Sequence, residues 1–190
     1  MFHLRAAPAL VVSFALLGGC KSEIDAKPAA EVRDADKAGS SAEVAKTLAL
    51  DSAKSSVEFV GAKVTADHRG RFDAPTGKLE LSADGKVVGM EVTVKTDSLE
   101  IEPDKLAEHL RGEDFFDLAK FPTSTFTLTS AEAGGGGDGT HQVTGNLELH
   151  GVEKSITFPA KIEVGDGSAK ATASFSINRK DFGITYAGMA

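Results

Sequence analysis

The sequence has one cysteine and no tryptophan in 190 residues, and its 21 lysines and arginines are outnumbered by 28 aspartates and glutamates. A single cysteine excludes a disulfide within the chain. The net charge of −7 repels nucleic-acid phosphates, and the chain supplies no polybasic patch for anionic lipids. Nucleic acid is therefore not an expected partner.

Motifs that carry catalysis or bind metals are also missing. The sequence contains no Gly-x-Ser-x-Gly motif. No i, i+4 pair or short ligand pattern is formed by the histidines His68, His109, His141 and His150. Several carboxylates lie close together in the sequence, and a solvated face explains them better than an acid–base pair. They are Glu100, Glu102, Asp104, Glu113, Asp114 and Asp117. We predict no enzyme activity, no catalytic residue, no metal site and no catalytic cofactor.

The first twenty residues differ from the rest of the chain. Residues 6–17 form an apolar run that is too short to span a bilayer as a helix, and small residues follow directly. The sequence LGGC at residues 17–20 resembles the lipobox of bacterial lipoproteins. The resemblance implies that residues 1–19 are a signal peptide and that Cys20 is acylated and begins the mature chain. An ordinary signal peptide with a chance cysteine is the alternative.

Acylation of Cys20 predicts a membrane anchor without a transmembrane helix, because each buried CH₂ group contributes about 0.8 kcal/mol to membrane binding. The protein is then expected in the bacterial cell envelope, anchored by lipid and facing the periplasm. Lys21, directly after the cysteine, favours the outer over the inner membrane by the sorting preference familiar from enteric bacteria.

Residues 20–50 are rich in Ala, Lys, Asp and Glu and contain almost no large apolar side chain before Leu48. A segment of this composition cannot bury enough apolar surface to offset the entropy of ordering it. We predict a flexible tether there, and a single folded domain over residues 51–190, which is long enough for one core.

Within this domain apolar and polar residues alternate nearly everywhere, as in half-buried antiparallel strands. Short turns such as Asp84-Gly85 and His150-Gly151 separate the alternating segments. Consecutive strands with one apolar face each favour an up-and-down meander, closed into a barrel or folded as a sandwich. Pro159 inside one such segment indicates a strand edge or a bulge.

The alternation breaks after residue 102. Pro103 and Asp104 suit the first turn of a helix, Leu106 and Leu110 are one turn apart, and Gly112 can end the helix. The Phe-rich segment that follows must lie on an apolar surface. We expect this insertion at the open end of the sheet.

Three stretches resemble a known family: HLRGEDFFDLAKFPTSTF at residues 109–126, VTGNLELHGVEKSITFPAKI at 143–162 and FSINRKDFGI at 175–184. In this order and separation they resemble the YceI-like family of periplasmic lipid-binding proteins. The resemblance implies an all-β fold, an antiparallel up-and-down lipocalin-like β-barrel of about eight strands with a short helical insertion near residues 103–121. It also implies an apolar cavity for a polyisoprenoid or another long amphiphile. Members continue past FGITYAGMA into another barrel-closing strand, so this chain is either a fragment or a barrel with an open seam.

The inward-facing strand residues and the Phe-rich insertion supply the predicted lipid-binding wall. Its residues are Phe59, Leu79, Leu81, Val92, Val94, Leu110, Phe115, Phe116, Phe121, Phe126, Leu128, Leu147, Leu149, Ile156, Phe158, Ala171, Ala173, Phe175 and Ile177. Small residues on inner faces beside a lid of Phe side chains suit an apolar tunnel; a filled core of the same residues is the alternative. His109 and Arg111, near the expected cavity mouth, are predicted to bind the ligand head group, with surface solvation as the alternative.

We therefore expect an envelope lipoprotein that binds a polyisoprenoid, an isoprenoid quinone or a fatty-acid derivative, for carriage or sequestration. The alternative is a non-catalytic structural or stress-related lipoprotein with a filled barrel, and an enzyme acting on a lipid is a third hypothesis. The expected partners are the amphiphilic lipid and the membrane reached through Cys20. The oligomeric state stays open, with a dimer among the options.

Overall fold

The computed structural model describes residues 9–16, 27–36, 42–63, 66–136, 139–165 and 167–186, with the side chains of 9–16, 62–63 and 66–67 outside the description. Over these ranges the chain forms strands and one α-helix, α1, at Asp104–Arg111. The strands are β1 Ala9–Leu16, β2 Glu31–Asp34, β3 Lys46–Ala49, β4 Ser56–Lys63, β5 Ala66–Phe72, β6 Thr76–Leu81, β7 Val87–Lys95, β8 Leu99–Ile101, β9 Thr123–Ala133, β10 His141–Leu149, β11 Val152–Val164 and β12 Ala169–Ile177.

The strands form one sheet in the order β3-β6-β7-β9-β10-β11-β12-β1-β4-β5-β8, and β2 pairs with β11 beside this path. β1 runs parallel to both of its neighbours, β12 and β4. The other strand pairs are antiparallel. The predicted all-β, mainly antiparallel fold with one short helix is confirmed.

The sheet wraps around a single apolar core. Strands distant from each other in the sheet, such as β7 and β12, contribute side chains to the same cluster. Phe175, Phe182 and Ile156 have no exposed surface. Alternation explains the arrangement: along β10, Val143 and Leu147 are buried while Glu148 is exposed. The inner faces therefore meet as in the predicted barrel.

β1 bridges β12 and β4, and its register places Phe14 level with Phe175 on one side and Phe59 on the other. From its sequence, this segment is predicted to be the apolar core of a signal peptide that is removed with residues 1–19. Cleavage would take β1 away and leave β12 and β4 without their shared neighbour. Cys20, the predicted acylation site, lies outside the described residues.

The predicted flexible tether differs from the structure in the parts that are described. Residues 28–36, which we name the strap, lie along β11 and β12, and β3 pairs with β6. Composition did not reveal this order because the strap buries little side-chain surface beyond Ala30 and Val32. Backbone hydrogen bonds to strands elsewhere in the chain hold it instead. Ordered structure thus begins before residue 51.

The helix is shorter than the predicted insertion at residues 103–121. It ends at Arg111, where the N–H of Gly112 donates to the carbonyl of His109, and tight turns lead on to β9. Leu110 is buried, as its spacing predicts. No helix within the described ranges is long and apolar enough to cross a bilayer.

After β12 the chain turns through Arg179–Phe182, and the N–H of Lys180 donates to the side chain of Asn178. Gly183 ends this turn at φ 76°, in the left-handed region that favours glycine. In the chain described as far as residue 186, no strand follows β12. β1 therefore holds the position between β12 and β4.

Candidate functional site: an apolar cavity

A cavity of about 70 Å³ lies inside the wrapped sheet. Its wall is built by strands β4, β5, β7, β9, β10, β11 and β12 and by the turn after α1. The wall residues are Val57, Phe59, Phe72, Met90, Val92, Val94, Phe116, Ser124, Phe126, Val143, Leu147, Leu149, Phe158, Ala160, Ala171, Thr172, Ala173, Phe175 and Ile177. None of them carries a charge.

The structure brings many of the predicted wall residues together at this cavity. They are Phe59, Val92, Val94, Phe116, Phe126, Leu147, Leu149, Phe158, Ala171, Ala173, Phe175 and Ile177. Period-two alternation places each of the strand residues among them on an inner face.

The other predicted wall residues lie away from the cavity. Leu79, Leu81, Leu110, Leu128 and Ile156 are buried in the core without reaching the wall, and Phe115 and Phe121 are half-buried outside it. Phe121 packs against His150 at a ring distance of 4.8 Å. Sequence alternation gives the inward face of a strand, but not which part of the core contains space.

Some wall residues are not in the predicted set: Val57, Phe72, Met90, Ser124, Val143, Ala160 and Thr172. Val57, Met90 and Ala160 belong to alternating segments, so their positions were readable in the pattern. Phe72 ends β5, whose sequence ADHRGRF shows no apolar alternation. No sequence signal marks it.

Stacked aromatic rings form one side of the wall. Phe158 and Phe175 lie parallel, with ring centroids 4.0 Å apart and an interplanar angle of 17°. Phe126 contacts Phe158 at 5.5 Å. These rings join β9, β11 and β12 across the interior, and offset-stacked or tilted ring pairs of this kind are favourable in cores.

A second aromatic group, the Phe cluster, consists of Phe59, Phe72 and Phe116. Its ring centroids lie 5.5–6.0 Å apart, with Phe116 edge-on to the other two. Phe116 comes from the turns after α1, so this segment packs on the sheet as the sequence predicts. The Phe cluster thus ties the insertion to the cavity wall.

The buried hydroxyl of the described wall already has a hydrogen-bond partner. The Ser124 hydroxyl donates to the carbonyl of Glu148 at 2.6 Å. In the described part of the chain, no buried side-chain nitrogen or oxygen lacks a hydrogen-bond partner. A ligand in this cavity would therefore be held by apolar contact.

The predicted head-group residues lie beside the cavity rather than on its wall. His109 packs edge-on against Phe115 and Tyr186, at 5.0 and 4.8 Å, and its Nε2 is 3.3 Å from Asp114. Arg111 donates to the carbonyl of Leu99 at 2.7 Å. The Arg111 guanidinium thus has a structural partner, whereas the imidazole of His109 is partly exposed.

Perturbed carboxylates occur on the outer surface, away from the cavity. Burial and the neighbouring Glu100 raise the pKa of Asp73, while the Arg71 guanidinium lowers the pKa of Glu100. Arg71 lies 2.7 Å from Glu100 and 3.2 Å from Asp73. This exposed ion pair explains the lowered pKa of Glu100, whereas the raised pKa of Asp73 comes from burial and the neighbouring Glu100 and is opposed by Arg71. Across the described ranges, no group of three His, Cys, Asp or Glu residues is placed to hold a metal ion.

Comparison with known proteins identifies the family of this chain. A profile of the YceI-like domain matches residues 48–190. The chain belongs to the YceI-like family. A UPF0312 protein of Shewanella denitrificans is 38% identical over 126 residues, which are 60% of this chain and 63% of the relative. Protein YceI of Salmonella newport is 39% identical over 101 residues, 50% of this chain and 51% of the relative.

The chain thus spans less than two thirds of the length of these curated YceI-like relatives. Among solved structures, Burkholderia cenocepacia BcnA is similar with a TM-score of 0.61 at 23% identity, over 70% of this chain and 82% of that one. This likeness supports the fold.

Proposed function

We propose that this YceI-like protein binds one long-chain amphiphile in its apolar cavity, for carriage or sequestration in the bacterial envelope. The ligand class is a polyisoprenoid, an isoprenoid quinone or a fatty-acid derivative. The composition of the cavity wall carries the proposal: apart from the hydroxyls of Ser124 and Thr172, its side chains are apolar. No residue of this wall carries a charge, and we propose binding without turnover.

The affinity would come from the hydrophobic effect. Each 100 Å² of apolar ligand surface removed from water contributes about 2.5 kcal/mol. A chain of isoprene or methylene units supplies such surface along its length. The uncharged wall would not distinguish finely between chain chemistries, so length and branching would decide the preference.

The size of the cavity requires the wall to move. At about 70 Å³ the cavity is far smaller than the roughly 300–1,000 Å³ of pockets for drug-sized ligands. The Phe cluster is one place where space can open, because Phe116 is carried by turns and not by a strand. Ala171 and Ala173 of β12 contribute only small side chains to the wall.

The polar end of the ligand would remain near α1. His109 is the better candidate for a head-group contact, because Arg111 already donates to a backbone carbonyl. We further propose that Cys20 carries the lipid anchor and that the protein faces the periplasm from the outer membrane. The LGGC sequence and Lys21 support this part of the proposal.

The substitution Ala173→Phe tests the binding function. A benzyl group at this wall position would occupy the space that the ligand needs, so we expect at least a tenfold loss of affinity. The measurement is the fluorescence of cis-parinaric acid, which rises when this polyene fatty acid leaves water, with geranylgeraniol as competitor. Overpacking at such a site costs about 1–3 kcal/mol of stability, so most of the protein should remain folded.

Ala133→Phe is the matched control, because it makes the same change at an exposed residue of β9 away from the cavity. We expect it to bind the probe like the parent chain. Equal binding by the Ala173→Phe variant would contradict the assignment of the cavity as the ligand site.

A filled barrel without a ligand is the second candidate function, as a structural or stress-related lipoprotein. The small volume of the cavity favours it. The two candidates differ in one measurable property, since a filled barrel would bind neither cis-parinaric acid nor geranylgeraniol.

A further inference from the structure

The strands β11 and β12 pair along only part of their lengths. Residues 160–164 of β11 pair with residues 169–173 of β12, and the pairing ends there. Residues 154–157 of β11 pair instead with β2, which belongs to the strap. On its other side the strap bridges to β12, where Ala29 lies beside Ser176. The strap therefore fills a gap between two strands of the sheet.

Pro159 stands at the point where β11 changes partner. It lies between the residues that pair with β2 and those that pair with β12. A proline has no N–H to donate, so it suits a position where the ladder on one side is interrupted. The sequence prediction of an edge or a bulge at Pro159 corresponds to this interruption.

Polar contacts fasten both ends of the strap. At one end, the N–H of Ala30 donates to the carbonyl of Ser176 at 2.8 Å, and the N–H of Ser176 donates to the carbonyl of Pro28 at 3.0 Å. At the other end, the buried amide of Asn146 donates to the carbonyl of Asp36 at 2.7 Å and accepts from its N–H at 3.0 Å.

Side chains of β11 complete the attachment. The Ser155 hydroxyl donates to the Asp36 carboxylate at 2.9 Å, and the Lys154 ammonium lies 2.8 Å from Asp34. Asn146 and Ser155 are paired residues on the outer face of the sheet, yet both are almost fully buried. Their burial indicates that these two side chains form a docking site for the strap.

The cavity wall lies directly behind the strap. Val32 is level with the fully buried Ile156 and packs against the core. Next to Ile156 along the inner face is Phe158, which stacks on Phe175 of β12, and both rings line the cavity. The strap thus covers the place where these two wall rings meet.

We propose that the gap between β11 and β12 is a side entrance to the cavity and that the strap is its removable cover. This inference rests on the proposed function and adds the route by which an apolar chain reaches the cavity. Neighbouring strands are about 4.8 Å apart, so lifting one strand leaves an opening roughly 10 Å wide. An alkyl or isoprenoid chain can pass through such an opening lengthwise once the stacked rings of Phe158 and Phe175 behind it move apart.

The strap is the part of this wall that opens at least cost. It pairs with β11 only at residues 154–157, whereas β10 pairs with β11 along residues 152–160. Lifting it breaks no pairing between the strands β9, β10, β11 and β12. Segments with few buried apolar contacts and short ladders open locally before the rest of a fold.

A disulfide across the cover tests the route. The full chain with Cys20→Ser receives Glu31→Cys and Thr157→Cys, which replace directly paired residues of β2 and β11. Oxidation fixes the strap in place, and a free-thiol count shows that the bond has formed. We expect cis-parinaric acid uptake from phosphatidylcholine vesicles to slow at least tenfold, and dithiothreitol to restore the rate.

Thr47→Cys with Glu80→Cys is the matched control, because it removes the same two residue types from the directly paired strands β3 and β6. Its oxidation should leave the uptake rate unchanged. Unchanged uptake by the oxidised strap variant would overturn the side entrance while leaving the proposed function intact. Absence of uptake by the parent Cys20→Ser chain would contradict both the side entrance and the proposed function.

Asn146→Ala provides a second test that needs no disulfide. It removes two hydrogen bonds to Asp36, so the strap should open more often and uptake should accelerate about tenfold. Backbone hydrogen exchange at residues 30–34 should accelerate together with uptake. Faster exchange without faster uptake would overturn the proposal.

Discussion

At the scale of single residues, two glycines set the positions of cavity-wall rings. The ring of Phe126 lies against Gly145, and the ring of Phe59 lies against Gly70. A Cβ atom on either glycine would overlap ring atoms. The missing side chains therefore allow both rings to pack against the sheet while they line the cavity.

We predict that Gly145→Ala displaces the Phe126 ring toward Phe158 and lowers the free energy of unfolding by about 1–3 kcal/mol, the usual cost of overpacking. Urea unfolding measures this change. Gly61→Ala is the matched control, because no atom of the described residues lies within 4 Å of a Cβ at this strand glycine. It should be neutral or stabilising by up to about 1 kcal/mol. Similar losses in both variants would contradict the steric argument.

At the scale of elements, the β6–β7 hairpin contains a charge clasp in its turn. The Ser82 hydroxyl donates to the Asp84 carboxylate, and the Lys86 ammonium lies 2.6 Å from the same group. Hydrogen bonding from Lys86 and Ser82 lowers the pKa of Asp84 to about 2. The clasp is exposed to solvent, so its contribution to stability is small.

The stabilisation of the hairpin by the clasp should decrease as the pH is lowered. The folded pKa of Asp84 lies below the unfolded value of about 3.9, so the clasp stabilises the fold above pH 4 and is lost as the pH falls through about 2. Asp84→Asn should therefore lower the free energy of unfolding at pH 7 and match the parent chain below pH 2. A deficit of equal size at both pH values would contradict this explanation.

Sequence patterns predicted the long strands. They did not predict the strands that depend on contacts with distant parts of the chain. The alternation in residues 124–130, 145–151 and 155–164 predicted the strands β9, β10 and β11, because each strand buries one face. β5 lacks this pattern. The strap was predicted as a tether, since its order depends on Asn146 and on the interruption of β11, which become visible only in the assembled sheet.

The helical insertion was likewise predicted only in part from the sequence. Leu110 and Gly112 predicted the packing and the end of α1, and Phe116 packs on the sheet as expected. The remaining Phe side chains of this insertion, Phe115 and Phe121, do not reach the cavity wall. Their contacts with His109 and His150 arise from turns whose geometry the sequence does not specify.

At the scale of the whole molecule, the sequence predicted the barrel-like fold and many of the residues around the cavity, but not its volume. Free volume is a small difference between the space enclosed by the sheet and the side chains that fill it. A change in one ring position alters it. The cavity volume is about 70 Å³ with the rings in these positions. The proposed function requires a conformation with a larger cavity.

The N-terminal segment connects the fold to the predicted export of the protein. β1 completes the sheet between β12 and β4 in the full chain, and the predicted signal cleavage would remove it. The strap, in contrast, follows Cys20 and would remain in the mature protein. Anchoring and the proposed side entrance would then be joined by the short stretch at residues 21–27.

Native mass spectrometry of the protein purified from cells tests the central claim most directly. A bound amphiphile should add a mass of several hundred daltons that collisional activation releases, unlike an acyl chain attached to Cys20. Ala173→Phe should abolish this addition and Ala133→Phe should retain it. A protein that carries no releasable mass and takes up neither cis-parinaric acid nor geranylgeraniol would contradict the claim that the barrel is a lipid-binding site.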